Sequence, residues 1–276
     1  MIITGRPGTI RVLLAAYRSV GIYRYLSAFL VIFLLVLTSS CSDSSTTWER
    51  IEESGTLRVG LDPTYPPFES IDDTGLIGID IDLAEAIADK LNLQVNFSHF
   101  GYDGLYDALL TDQVDILISA MAILPEKTKD FTYSFPYFDA GQILISKAGD
   151  NIAGIEDIHS ATIAVELGSE GHVLANQLER SIPDVIVNTY RSSDEALLSV
   201  IDLEADVAIV DSVTGRLFLS SEPQLEYGSK PASTEPYAIV VRSDDEDLLS
   251  HVNAALDAIE QDGLLERILD HWLDRR

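Results

Sequence analysis

The residues best placed to do chemistry in this 276-residue chain sit where apolar runs stop. Asp62 ends "TLRVGLD" and Asp211 ends "VAIVD". A carboxylate after a buried run is costly to leave without a partner, so each invites a cation or a set of N–H donors. Each also has a local use, because "DP" at Asp62 is a good turn start and Asp211 can cap a helix beginning "SVTG". The stretch "GSEG" (Gly168 to Gly171) joins a strand to a helix, where backbone N–H groups are free to meet an anion. Within it Ser169 keeps a hydroxyl, while the Glu170 charge disfavours an anion nearby and favours a cation. In "MAILPEK" (Met121 to Lys127) an apolar run breaks at Pro125, which suits a first helical position because its missing N–H costs nothing there. The amides of Glu126 and Lys127 would then point out of the new helix beside the Lys127 charge. Tyr65 and Tyr102 offer rings that can stack on a flat or cationic group at ~0.5 to 2 kcal/mol each, or serve as ordinary core.

Other chemistries lack their residues. The histidines at 99, 159, 172, 251 and 271 show no ligand spacing, so no metal is expected. No Ser/His/Asp or Cys/His constellation and no Walker-type phosphate loop is legible, and no cofactor is expected. Cys41 is the single cysteine, which rules out a disulfide within the chain.

These residues must be positioned by the elements around them. Leu57, Val59 and Leu61 alternate as in a strand. "DIDLAEAIADKLNL" puts Leu83, Ala84, Ile87, Ala88 and Leu91 on one helical face, with Asp80 as the expected N-cap. "LQVNF", the helix "YDGLYDALLTDQ", and the strands "VDILISA" and "GQILIS" follow. A second unit then runs "TIAVELG", "HVLANQLER", "VIVNTY", "DEALLSVIDLE", "VAIVD". "YAIVVRS" and two amphipathic helices close the chain. Strands alternating with helices imply parallel sheets flanked by helices.

The formal net charge is −27. That balance argues against nucleic acid or anionic lipid as a partner. The first 41 residues run the other way, with Arg6, Arg11, Arg18 and Arg24 and no acid. They lead into the apolar run Leu26 to Leu37 and then "TSSC". The run has the length of a signal-peptide core and is too short for an ordinary spanning helix. It resembles a bacterial lipoprotein signal in which Cys41 is lipidated and becomes the mature N-terminus, although Thr38 stands where that pattern usually has leucine. The polar stretch 42–55 reads as a tether.

"LRVGLDPTYPPFES", "GIDIDLAEAIADKL", "YDGLYDALLTDQVDILIS", "PYFDAGQILIS" and "DLLSHVNAALDAIEQDG", in this order, resemble the bacterial extracellular solute-binding proteins of family 3, the polar amino acid receptors of ABC importers. The resemblance runs from about Thr56 to the C-terminus. It implies an α/β, two-lobed periplasmic-binding-protein fold (type II), each lobe a mostly parallel sheet flanked by helices, with two crossing hinge strands near Ile143 to Lys147 and Pro236 to Val240. Lobe one would comprise 56–146 plus 238–276, and lobe two 147–237. The ligand would bridge the lobes, and binding would shift an open-to-closed equilibrium.

Carried over residue by residue, the resemblance makes Asp62 a partner for an amino group on the ligand and Tyr65 and Tyr102 aromatic cover. It makes Asp211 the partner of an α-ammonium, and Ser119, Ala120, Ser169 and Glu170 further lining. Asp103 falls near the cleft by the same reasoning. Where relatives read close to "T-I-T-P-E-R" and grip a carboxylate, this chain has Ala122, Leu124 and Lys127. The site so loses a hydroxyl and a bidentate fork, the helix loses a cap worth roughly 1 kcal/mol, and Lys127 is left as the carboxylate partner. The expected ligand is therefore an amino acid or related amine, cationic or zwitterionic. The expected partner is an ABC transporter permease, met by a monomer exported and tethered through Cys41. The alternative is a cyclohexadienyl-dehydratase-like enzyme on the same fold, with Glu170 as general acid.

Overall fold

The computed structural model describes residues 45–274; the leader, Cys41 and the start of the tether lie outside the described residues. The rest of the expected tether is structured. Thr46 and Glu49 form a reciprocal capping box, with Thr46 N to Glu49 Oε2 at 2.8 Å and Glu49 N to Thr46 Oγ1 at 3.2 Å, and start helix α1 (Thr47–Ser54). That helix buries Ile51 completely in the first lobe.

Lobe one is built on a sheet of order β5-β1-β6-β13-β7, comprising β1 (Thr56–Leu61), β5 (Gln94–His99), β6 (Ile116–Leu117), β7 (Phe131–Asp139) and β13 (Pro236–Arg242). The β5-β1-β6 part is parallel and the β13 and β7 pairings are antiparallel, so the sheet is mixed rather than mostly parallel. On one face lie α2 (Ile79–Leu91), α7 (Glu246–Gln261) and α8 (Leu264–Leu273), whose Ile87, Val252 and Ile259 share a core with Leu57 and Val59. On the other lies α3 (Leu105–Leu110), which packs Leu105 and Leu109 on Leu117 and Val240. The loop after β1 folds into a small antiparallel sheet of β2 (Thr64–Tyr65), β3 (Glu69–Asp72) and β4 (Gly75–Ile77), which the sequence reading did not anticipate.

Helix α2 begins one residue before the expected cap. Gly78, at φ 137°, takes the N-cap position because an added Cβ there would lie 2.1 Å from the Phe68 carbonyl oxygen. Asp80 therefore sits inside the first turn and is fully buried.

Lobe two repeats the pattern with order β10-β9-β11-β8-β12: β8 (Gln142–Lys147), β9 (Thr162–Glu166), β10 (Ile186–Tyr190), β11 (Val207–Asp211) and β12 (Leu225–Tyr227). Again the first three are parallel and β8 and β12 antiparallel. Helices α4 (Glu170–Ser181), α5 (Ser193–Ile201) and α6 (Ser212–Leu219) cover it, with cores around Leu178 with Ile163 and around Leu197 with Ile145.

The chain crosses between lobes earlier than expected at both places. Gln142 is already in register with Asp211 of lobe two, and Pro236 with Asp139 of lobe one. The crossings are thus 139–142 and 233–236, and all of β8 belongs to lobe two. The two lie side by side. Asp139 Oδ1 accepts from Gly141 N at 2.9 Å and Glu235 N at 2.7 Å, and Gln142 N donates to Ser233 Oγ at 3.0 Å. Gly141 is required by this approach, since a Cβ there would meet the Ser233 carbonyl oxygen at 2.1 Å.

Candidate functional site

The carboxyl ends of β1 and β6 in lobe one, and of β9 and β11 in lobe two, carry the candidate residues, as expected where loops converge on parallel strands. A cavity of about 280 Å³ in lobe one is lined by Asp62, Tyr65, Tyr102, Ser119 and Ala120, with Glu69 and Tyr237. A second, of about 290 Å³, is lined by Ser169, Glu170 and Asp211 of lobe two, with Glu166, Gln142 and Glu235. Tyr65 and Tyr237 line both.

In the first cavity the polar groups are mostly spent on one another. Asp62 Oδ1 accepts from Thr64 Oγ1 at 2.9 Å and Oδ2 from Tyr102 N at 2.8 Å, so its turn-forming use is present and its carboxylate holds the loop that presents Tyr65 and Tyr102. Ser119 Oγ accepts from Asp62 N at 3.0 Å and donates to Glu69 Oε1 at 2.5 Å. Ala120, at φ 44°, donates its N–H to Asp80 Oδ2 at 2.7 Å. Both rings remain about half exposed, Tyr65 at 48% and Tyr102 at 49%, and Tyr65 stacks on Phe68 at 5.6 Å between centroids.

Beneath this wall lies a buried acid pair that the sequence reading missed. Glu69 and Asp80 are 1% and 0% exposed. Glu69 Oε2 and Asp80 Oδ1 accept from no N–H or hydroxyl group, and the two carboxyls lie close enough to share a proton. Burial first, then the Asp80 charge, pushes the Glu69 carboxyl well above the usual range. Two carboxyls this close and this dry hold one proton between them. The Tyr137 hydroxyl lies beside Asp80, and burial raises its pKa too.

The second cavity is acidic and less self-satisfied. Asp211 Oδ1 caps α6 through Thr214 N at 2.9 Å, which is its expected local use, while Oδ2 accepts no hydrogen bond among the described residues. Ser169 is spent as the N-cap of α4, accepting from His172 N at 3.0 Å and donating to the Glu166 carbonyl at 2.9 Å. Glu166 Oε2 takes the N–H and hydroxyl of Ser193 at 3.0 and 2.8 Å. Burial, then the charges of Glu170, Asp139 and Asp211, raises the Glu235 pKa. No lysine, arginine or histidine lines either cavity.

Three expected residues lie outside these cavities. Lys127 sits with Nζ 4.8 Å from the centroid of the Tyr106 ring in its own lobe, and its backbone N–H, expected to point outward, bonds the Leu124 carbonyl at 3.0 Å because Pro125–Lys127 forms only a single 3₁₀ turn. Ala122 packs against the lobe-one core and bridges to Tyr237. Asp103 lines neither cavity. Glu166 and Glu235 were missed although each flanks an apolar strand, the signal that had picked out Asp211.

Residues 57–275 match the family model of the bacterial extracellular solute-binding proteins, family 3. The chain is 29% identical over 222 residues to ABC transporter arginine-binding protein 1 of Escherichia coli, covering 78% of this chain and 90% of that protein. Among solved structures, an ancestral cyclohexadienyl dehydratase superposes with a TM-score of 0.73 at 27% identity, covering 83% of this chain and 97% of that one. An ancestral cationic amino acid solute-binding protein superposes at 0.60 with 33% identity, covering 83% and 100%.

Proposed function

The chain belongs to the bacterial extracellular solute-binding proteins of family 3, and from that premise we propose that it is the receptor of an ABC importer, closing its lobes on an amino acid or related cationic or zwitterionic amine. The observation that carries this reading is the pair of cavities at the facing strand ends, joined by Tyr65 and Tyr237 and lined by carboxylates with no basic side chain. Asp211 Oδ2 and the Glu170 and Glu235 carboxylates meet an ammonium; the tyrosine rings cover its stem. Closure of the lobes is the state a permease reads. Micromolar affinity, about −8 kcal/mol, suffices for such a role. Export, and tethering to the outer face of the membrane through Cys41, rest on the apolar run Leu26 to Leu37 and the small residues before the cysteine. Calorimetry of the purified protein against the twenty amino acids and a panel of amines tests the reading. Binding of a cationic or zwitterionic member is expected, and tightest binding of glutamate or aspartate would overturn the charge argument.

The dehydratase alternative is favoured by the likeness to the ancestral cyclohexadienyl dehydratase. In this site Glu235, with its raised pKa, is better suited to donate a proton than the first candidate, Glu170. Against it stands the lining itself, since the substrates of that chemistry are anionic and no cation faces either cavity. The chain acts as a binding protein and not an enzyme; release of phenylpyruvate from prephenate by the purified protein would reverse that.

A further inference from the structure

We propose that the ligand is an organic cation that carries no carboxylate, an alkyl amine, diamine or guanidino-amine, rather than an α-amino acid. This deepens the receptor reading above and rests on it. An amino acid needs donors for its carboxylate as well as acceptors for its ammonium, and the serine, threonine and basic side chains of the cleft do not supply those donors. Among the hydroxyls, Ser119 donates to Glu69, Ser169 to the Glu166 carbonyl, Ser193 to Glu166 Oε2 and Thr64 to Asp62. Lys127, the cation placed nearest the cleft by sequence, rests on Tyr106 and lines neither cavity.

Acceptors, in contrast, stand unused. Among the described residues, no hydrogen bond reaches Asp211 Oδ2 or the carboxylates of Glu170 and Glu235, and all three residues line the lobe-two cavity. Gln142 adds an independent observation. It lines the same cavity, is 7% exposed, and its side-chain amide has no hydrogen-bond partner among the described residues. Its carbonyl oxygen is a natural acceptor for an ammonium or guanidinium N–H, while its NH2 group is a donor. The raised Glu235 pKa fits the same account, since the acids crowd one another with no internal cation to relieve them. A ligand carboxylate placed in this cleft adds another like charge; its removal leaves a cation facing carboxylates, with the faces of Tyr65 and Tyr237 along its stem.

The experiment is calorimetry with matched pairs that differ only in the α-carboxylate: agmatine against arginine, cadaverine against lysine, putrescine against ornithine. In at least one pair the carboxylate-free member is expected to bind at least tenfold tighter. Equal affinities within every pair, or tighter binding of the amino acids, overturn the inference and leave the receptor reading standing. Binding of no member of either series overturns the inference, and the receptor reading is then decided by the wider panel of amino acids and amines. Two variants of the full chain, first checked by circular dichroism for unchanged folding, add independent readouts. Glu235→Gln is expected to weaken the amine at least fivefold. Lys127→Ala is expected to leave amine and amino acid affinities within twofold, and a loss above fivefold confined to the amino acids would show Lys127 reaching their carboxylate and overturn the inference.

Discussion

Replacing Glu69 by glutamine tests the buried acid pair, and the structure sets both sign and size. Glu69 Oε1 accepts from Ser119 and its other oxygen shares a proton with Asp80. Glutamine keeps both roles, with its carbonyl facing Ser119 and its amide N–H facing Asp80, and carries no proton that can titrate. In the native chain, folding holds that proton at a carboxyl raised by burial and by Asp80, whereas the unfolded glutamate releases it above about pH 4.3. One extra proton bound by the folded state lowers stability by about 1.4 kcal/mol for each unit of rising pH, beginning at the unfolded pKa and ending at the raised folded one. Glu69→Gln removes that slope. The difference in unfolding free energy, variant minus native, should therefore rise by about 2.7 kcal/mol from pH 5.5 to 7.5. Urea denaturation followed by circular dichroism, at several pH values in that range, measures it. Taking the difference cancels the titrating groups that do not touch the pair. A difference that stays flat with pH, within about 0.5 kcal/mol, would refute the shared proton.

Two further outcomes concern α1 and its anchor. Ile51→Ala should cost about 3 kcal/mol in urea denaturation, because the side chain is fully buried and such truncations leave a cavity; a cost below about 0.5 kcal/mol would return this stretch to the status of a tether. Asp115→Asn should cost about 3 kcal/mol in the same assay at neutral pH. Asp115 is fully buried and accepts from Arg58 Nε and Nη2 and Arg50 Nη2 at 3.1, 2.7 and 2.7 Å. Burial alone would raise its pKa, but these arginines hold it below the usual range, so its contribution is present above the unfolded pKa and fades as pH falls through the folded one.

Much of this architecture was legible because period and burial coincide. Leu57, Val59 and Leu61 alternate in sequence and are all fully buried, and the Leu83–Ala84–Ile87–Ala88 face of α2 packs as its spacing predicts. What escaped did so for identifiable reasons. Helix α1 offers one fully buried residue, too few to show a period, although its capping box at Thr46 and Glu49 was readable. The crossings hid because "ILIS" is apolar in either lobe, so composition carries no sign of the sheet that receives it. Asp62 and Asp211 were found with both of their uses open, and the structure shows that the local use takes one oxygen of each, while the second oxygen of Asp62 accepts from the distant Tyr102 N–H. The Glu69–Asp80 pair is set by the meeting of β3 with the start of α2, a long-range contact for which neither residue's neighbours give a cue. Lys127 misled for a related reason, since a cation beside a strand end also has aromatic faces in its own lobe to rest on.

The ladder between the crossings has a consequence for how the chain tolerates changes of length. A single Asp139 oxygen serves both passages and Gly141 presses on the Ser233 carbonyl, so neither passage can gain or lose a residue alone. One residue inserted at 139–142 or 233–236 slips the pairing of the strand it feeds and turns that strand's buried face outward. The turn at Asp73 and Thr74, between β3 and β4, and the segment between β8 and β9 carry no such tie to the other lobe and have room to grow. For anyone joining a reporter or a second domain to this protein, the lobes offer several seams, and the hinge offers none.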